Sequence, residues 1–352
     1  MRKKYLVINF YLILLFVLAS CSSEKLVYYY VPPDLQNQEK FLQVVEEFKT
    51  HFSGKKIFID PGHGGEDRRN TNKAGNVIEA DVNLRVALNL RDFIESSGGE
   101  VILSRDNDKT VPLALRSELA NNSNADLFIS IHHNAPARWE DDYTNYTSTY
   151  YHALEDNYEF EPMERDLARF IQRDLSYVMR NPGGLGSFDG TYSDYSIYPG
   201  DGFSVLRRTL IPSVLVECAF HTSSHEEKRL NSEEFNKIQA WGIYRGIGKY
   251  LKADKPQVTF KYSEYSEDST KIILNFKIDT KTPINKRKID VHVNKLFNDY
   301  IFDESTGILS IPVTLTNEKS FLIRIITANK NGIHNFPFEK KFSIIDYDFI
   351  SN

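Results

Sequence analysis

The segment Ile57-Phe58-Ile59-Asp60-Pro61-Gly62-His63-Gly64-Gly65 closes an apolar run with a histidine set between glycines, where no adjacent side chain packs around the ring. Such a histidine is either a polar group on a turn or a ligand held out at the end of a strand. Sixteen residues on, Glu79 stands in Val77-Ile78-Glu79-Ala80-Asp81. His132 and His133 end the run that begins Ile129-Ser130-Ile131, and Glu217 interrupts Val214-Leu215-Val216-Glu217-Cys218-Ala219-Phe220. Singly, each has a plain explanation. A glutamate opening a helix complements its dipole, a histidine after a strand is usually a satisfied polar group, and Glu217 has Arg207 and Arg208 as prospective partners. Together, two imidazoles and a carboxylate are the ligand set of a catalytic zinc, with the fourth position left for water. Manganese and cobalt accept the same donors. A structural zinc would close its shell, usually with cysteines, and none is at hand. Side chains alternate along a strand, so only one of His132 and His133 can face the metal. A glutamate at the end of a hydrophobic strand is costly to bury without a partner or a task. Beside such a metal it can take a proton from water and pass it to a leaving amine.

The elements that must position these residues alternate from Lys55 onward. Strands are expected at Lys56 to Asp60, Glu100 to Ser104, Asp126 to His132 and Pro212 to Phe220, with Ser148 to His152 extended. Helical spacing runs over Ala80 to Ser97, stopped by Gly98-Gly99, and over Leu113 to Asn122, Met163 to Met179 and Ser232 to Leu251. This alternation predicts an α/β fold with a mostly parallel sheet and helices on both faces. Ligands of such sheets bind outside the carboxyl ends of the strands, which is where His63, Glu79, His132 and Glu217 fall. After Pro256 short runs separated by turn residues follow one another, among them Lys271 to Ile278, Ile308 to Leu315 and Phe321 to Thr327. They predict an all-β sandwich of the immunoglobulin or fibronectin-III kind. Expected domain limits are 55–253 for the α/β part and 254–352 for the sandwich, with a tether and helix over 22–54.

The N-terminus carries Arg2, Lys3 and Lys4, an apolar run from Phe10 to Ala19, and Leu18-Ala19-Ser20-Cys21. A basic start, a short apolar core and small residues before a cut site describe an export signal over 1–21. The chain has 352 residues, two cysteines, 41% hydrophobic residues and a net charge of −5. That length favours two domains. The absence of clustered Lys and Arg argues against nucleic acid as a partner.

With these motifs in order, the chain resembles the zinc-dependent N-acetylmuramoyl-L-alanine amidases of the type 3 family. The resemblance spans roughly Lys55 to Leu251 and rests on Ile59-Asp60-Pro61-Gly62-His63-Gly64-Gly65, Glu79, Ser104-Arg105, Arg116, Ser130-Ile131-His132-His133-Asn134 and Val216-Glu217. It implies a six-stranded sheet, Zn2+ bound by His63, Glu79 and His132 rather than His133, and Glu217 as the catalytic carboxylate. The implied reaction cuts the amide between muramic acid and the first L-alanine of the peptidoglycan stem peptide. Asp60 is expected to orient His63, and His133, Asn134 and Arg116 to support the site or touch substrate. Cys21 after Leu-Ala-Ser resembles a bacterial lipoprotein signal, which implies lipid on Cys21, a membrane anchor and an envelope location facing the periplasm or wall. Ser22 after it resembles the sorting signal for an outer membrane. A protein activator is a further expected partner. Two other readings remain: a zinc peptidase trimming stem peptides, and a non-catalytic wall-binding lipoprotein. Tyr150, Tyr151, His152, His221 and His225 are candidates to line a groove, and His292 and His334 have no expected chemical role.

Overall fold

A computed structural model describes residues 29–154, 161–183, 189–315, 320–345 and 348–351. The export segment, Cys21 and the first part of the expected tether lie outside them. No helix among the described residues is long and apolar enough to cross a membrane.

The first sheet contains β1 (Lys56–Pro61), β2 (Glu100–Leu103), β3 (Leu127–Asn134), β4 (Ser148–Tyr151), β5 (Thr191–Ser193) and β6 (Ser213–Phe220), in the order β2-β1-β3-β6-β4-β5. Its pairs are parallel except β4 with β6, which run antiparallel. The strand β5 has no counterpart in the sequence expectation, because three residues are too few to show an alternation of period two.

Continuous Val, Ile and Leu runs form β1, β3 and β6 because both faces of these strands are buried. On one face Phe58, Phe128, Leu215 and Tyr150 meet Ala120 from α3 (Leu113–Asn121) and Val205 and Leu206 from the turn of helix Ser204–Arg207. The opposite face, with Ile57, Ile59, Ile129, Val214 and Val216, is equally dry. On that side lie α2 (Glu79–Ser96), α4 (Pro162–Met179) and α5 (Glu233–Lys252). Helix α5 lies so close to α4 that a Cβ on Gly246 would stand 2.4 Å from Ile171 Cα. The N-terminal helix α1 (Gln38–Phe52) docks through Phe52, stacked on Tyr244 at 5.3 Å between ring centroids. Helix α4 stops with Arg180 in the left-handed conformation, one residue before the Asn181-Pro182-Gly183 run expected to stop it.

Beyond Pro256 two antiparallel sheets face each other. One contains β7 (Gln257–Tyr265), β8 (Lys271–Asp279), β11 (Ile301–Asp303) and β12 (Ile308–Thr314). The other contains β9 (Ile284–Val293), β10 (Leu296–Phe297), β13 (Ser320–Asn329), β14 (Phe338–Ile345) and β15 (Asp348–Ser351). Strand β9 begins at Ile284 and crosses the exposed polar run Lys286-Arg287-Lys288, which hides its pattern in the sequence. Phe276, Leu274, Val291, Leu309, Ile311, Ile323 and Phe342 fill the space between the sheets.

The α/β part and the sandwich each own a core, yet they belong to one compact unit, Val31–Asn352. Asp166 Oδ2 on α4 accepts from both the backbone N–H and Nδ1 of His334, at 2.8 and 2.9 Å. Asn329 Nδ2 donates to the Asp254 carbonyl at 2.7 Å, while the Asp254 carboxylate takes the Thr282 N–H and the Thr280 hydroxyl. His334 thus has a docking role that its sequence context did not suggest.

Candidate metal centre and active site

The loop after β1 holds its histidine under strain. His63 has φ of 59°, a left-handed conformation that costs a non-glycine residue roughly 1–3 kcal/mol and persists only where surroundings over-determine it. Two buried arginines supply that constraint. Arg116 donates from Nη2 to the His63 carbonyl at 2.9 Å and from Nη1 to the Pro61 carbonyl at 2.8 Å. Arg105 donates to the carbonyls of Pro61, Gly62 and Ala80 at 2.9, 2.8 and 2.7 Å. Burial, together with the neighbouring Arg116 charge, lowers Arg105 to about 10. Gly62 admits no side chain: a Cβ there would lie 2.2 Å from Cε1 of His132.

His63, Glu79 and His132 come together with one ligand atom each, all within 4.8 Å of one another. His63 Nε2 is 3.1 Å from Glu79 Oε2, and His132 Nδ1 is 3.1 Å from Glu79 Oε1. The two imidazole side chains are 20% and 19% exposed while Glu79 is buried, so the cluster opens to solvent on its histidine side. Burial alone would raise the Glu79 carboxyl, but His132 and His63 outweigh it and hold it well below the usual range. Burial would lower His63; Glu79 and Asp67 outweigh it and raise it to about 9. These neighbours therefore favour positive charge beside Glu79, whether carried by a proton or by a cation.

Parity on β3 separates the two adjacent histidines. His132 is in register with Glu217 on β6, so both point to the face that carries Phe128 and Leu215. His133 points to the opposite face, buried, with Nδ1 2.8 Å from Asn83 Oδ1 and Nε2 2.9 Å from Gln239 Nε2. Burial holds it down at about 3, so it is neutral, with Nδ1–H donating to Asn83 and Nε2 accepting from Gln239. Its backbone N–H donates to Glu79 Oε1 at 3.1 Å, and Asn83 Nδ2 reaches the same oxygen at 3.3 Å. His133 thus braces the glutamate from behind.

Asp60 does not meet the His63 ring. Its Oδ1 accepts from Ser104 Oγ and Arg116 Nη1 at 2.5 and 2.7 Å, and its Oδ2 from Ser130 Oγ at 3.0 Å. Asp60 therefore acts on His63 through Arg116 and the loop backbone. The carboxylate on the ring is Asp67, whose Oδ2 lies 2.8 Å from Nδ1. A hydrogen bond donated from Nδ1 leaves the Nε2 lone pair free for a metal. Asn70 adds a second contact absent from the sequence reading, 2.8 Å from Glu79 Oε2 and 3.1 Å from His63 Nε2.

Glu217 differs from every other acid in the site. Its Oε2 is buried without a hydrogen-bond partner, although the residue as a whole is half-buried. Burial and the Glu79 charge push its carboxyl well above the usual range, with His63 offsetting part of this. Neither arginine considered as a partner reaches it: Arg207 pairs with Asp201 instead, and no ion pair joins Glu217 to Arg208 among the described residues.

Apart from exposed His225, the remaining candidates have packing or bracing roles. His221 is buried, donates from Nδ1 to the His133 carbonyl at 2.8 Å and stands 3.8 Å from Glu79 Oε2. Asn134 Oδ1 accepts from the next-but-none N–H, that of Ala135, at 2.7 Å and shapes the exit from β3. Tyr150 and Tyr151 are buried, His152 lies on Asp194 at 2.9 Å, and His225 is exposed.

Residues 57–249 match the family described as N-acetylmuramoyl-L-alanine amidase. An uncharacterised protein of Bacillus subtilis, YqiI, is 33% identical over 56% of this chain and 85% of its own length. The germination-specific N-acetylmuramoyl-L-alanine amidase of the same organism is 30% identical over 58% of this chain and 84% of its own. Among solved structures, the amidase Ami1 of Mycobacterium smegmatis superposes with a TM-score of 0.50 at 20% identity, covering 57% of this chain and 98% of that one, a likeness of fold.

Proposed function

We propose, from the premise that the chain belongs to the N-acetylmuramoyl-L-alanine amidase family, that it is a zinc-dependent hydrolase of the amide between N-acetylmuramic acid and L-alanine in peptidoglycan. The observation that carries the zinc is the convergence of His63, Glu79 and His132 within 4.8 Å. Two nitrogen donors and one carboxylate, with the histidine side open, fit a catalytic rather than a structural ion. When bound, zinc lowers the pKa of water and polarises a carbonyl oxygen.

The chain's own residues supply the rest. Asp67 keeps the proton of His63 on Nδ1. Arg105 and Arg116 fix the loop that presents the ring, and Asn83 with His133 fixes the glutamate. Glu217, one strand from His132 and with a free buried oxygen, accepts the proton of the attacking water at Oε2 and delivers it to the leaving amine nitrogen. Burial and the Glu79 charge raise this carboxyl, which makes it the stronger base of the two glutamates for the water proton.

Cys21 is the proposed lipidation site, after Leu18-Ala19-Ser20, anchoring the enzyme in the envelope so that it faces the wall, in the outer membrane where the cell has one. The proposed role is wall remodelling or separation of daughter cells. The test digests purified muropeptides with zinc-loaded and chelated protein and identifies products by mass spectrometry. Intact stem peptides beginning with L-alanine are expected, lost on chelation and regained with zinc. Cuts only within the stem would assign a peptidase instead.

A further inference from the structure

A cavity of about 140 Å³ adjoins the metal cluster, between the segment Arg69 to Lys73, the loop that follows β3 and the residues after β6. Two of its walls belong to the site itself: Asn70, which touches His63 and Glu79, and His221, 3.8 Å from Glu79. A group seated there stands next to the reacting bond.

Its remaining lining is mostly neutral, with three cations and one acid. Arg69, Lys73 and Arg138 line it, with the Trp139 indole 66% exposed beside them. Lys73 is spent on the loop, bonded to the Glu140 carbonyl and Asp142 Oδ2, each at 3.1 Å. Arg69 and Arg138 form no ion pair among the described residues, and both are exposed. Asp141, the acid in the wall, is occupied: its oxygens accept from the N–H groups of Tyr143 and Thr144 and from the Thr144 hydroxyl, while Arg138 acts on it only at a distance. In a chain of net charge −5, two guanidiniums with no contact ion pair among the described residues stand together at the edge of the site and are placed to receive an anionic ligand.

We propose that Arg69 and Arg138 form a carboxylate subsite that reads the stem peptide on the leaving side of the scissile amide, a deepening that rests on the amidase reading. The glycan half of the substrate offers mostly hydroxyls and amides, whereas the peptide half carries carboxylates on its second and third residues. A planar guanidinium takes a carboxylate through two parallel hydrogen bonds, which a neutral amide cannot reproduce. The cavity has room for about four waters, enough for one carboxylate and the carbon that bears it.

The test uses the full mature chain and four muramoyl-tripeptides whose carboxylates are free on the second residue, on the third, on both, or amidated on both. Hydrolysis of each is measured for the zinc-loaded wild type, Arg69→Gln, Arg138→Gln and Arg69→Lys. Binding of the same four compounds to Glu217→Gln, with and without Arg69→Gln, is measured by calorimetry. The wild type is expected to prefer one free carboxylate by roughly tenfold or more over the amide. Each Arg→Gln change is expected to bring that ratio below about twofold, and Arg69→Lys to keep part of it. The two singly free compounds identify which carboxylate is read. Equal handling of all four by the wild type, or a preference that survives both Arg→Gln changes, overturns the subsite. Carboxylate-dependent binding without hydrolysis of any compound would instead keep the subsite and sink the amidase reading.

Discussion

The carboxyl edge of the α/β sheet and the interior of the β-sandwich are built from opposite materials. Between the two sandwich sheets Phe276, Val291, Leu309 and Ile323 pack without strain or charge. At the sheet edge, His63 sits in a left-handed conformation, two arginines and Glu79 are buried, and one carboxylate oxygen of half-buried Glu217 has no partner. Regions that satisfy every local rule hold a chain together; rules are broken where a site is held in readiness for something outside the chain. The contrast is sharpest between two acids on the same edge. Glu79 has its oxygens bonded and a carboxyl held low, while Glu217 is unbonded and held high.

Substitutions should separate these regions. Glu217→Gln is expected to cut turnover by about 10²- to 10⁴-fold at unchanged zinc content, because the proposed metal ligands are His63, Glu79 and His132. Near-normal rates would remove Glu217 from the mechanism and dissolve the contrast with Glu79. In the sandwich, Phe276→Ala should lower unfolding free energy by about 3–5 kcal/mol with no change in turnover per folded molecule, read by denaturant titration beside activity. Gly62→Ala stands at the boundary between the two kinds of region. Its Cβ would meet the His132 ring at 2.2 Å, so zinc affinity should fall at least about tenfold while stability drops by about 1–3 kcal/mol. Affinity left intact would show that the ring can move aside.

The smallest expected effect concerns the link between the two parts. Lys255 is half-buried over the Tyr250 ring, and burial with the nearby Lys55 charge lowers it to about 8. The folded state then releases this proton near pH 8 while the unfolded state keeps it to about 10.5. Between those values the unfolded chain binds more protons, so stability rises with pH by at most about 1.4 kcal/mol per unit. The rise should be seen as a difference between the wild type and Lys255→Met, since other groups titrate in both. Parallel curves for the two proteins would mean that Lys255 is solvated.

Much of this was legible in the chain. Alternating strands and helices with apolar runs foretold a mostly parallel sheet and the sandwich, since burial on both faces leaves a composition that can be read, while the count of six strands came from the family resemblance. The convergence of His63, Glu79, one of the two adjacent histidines and Glu217 on one edge followed from strand ends and one helix start, and the resemblance chose His132. What escaped depends on distance or on irregular backbone. Whether His132 or His133 faces Glu217 turns on which side α2 and α5 pack, which periodicity does not encode. Asp67 and Asn70 lie in a loop with no period, so their positions against His63 could not be foreseen, and Asp60 was assigned a contact that Asp67 makes. Asp166 and His334 are 168 residues apart, and neither has a local pattern that announces the other.

The guanidinium clamp around the histidine loop has a consequence for the order of events in the life of the protein. Arg105 and Arg116 grip main-chain carbonyls, that of His63 included, and Asp60, and none of the atoms they hold is one of the proposed metal-ligating atoms. The loop therefore takes its shape from the chain alone. If the centre holds the proposed zinc, the mould is in place before the ion, and the protein is expected to fold to the same loop shape with or without its metal.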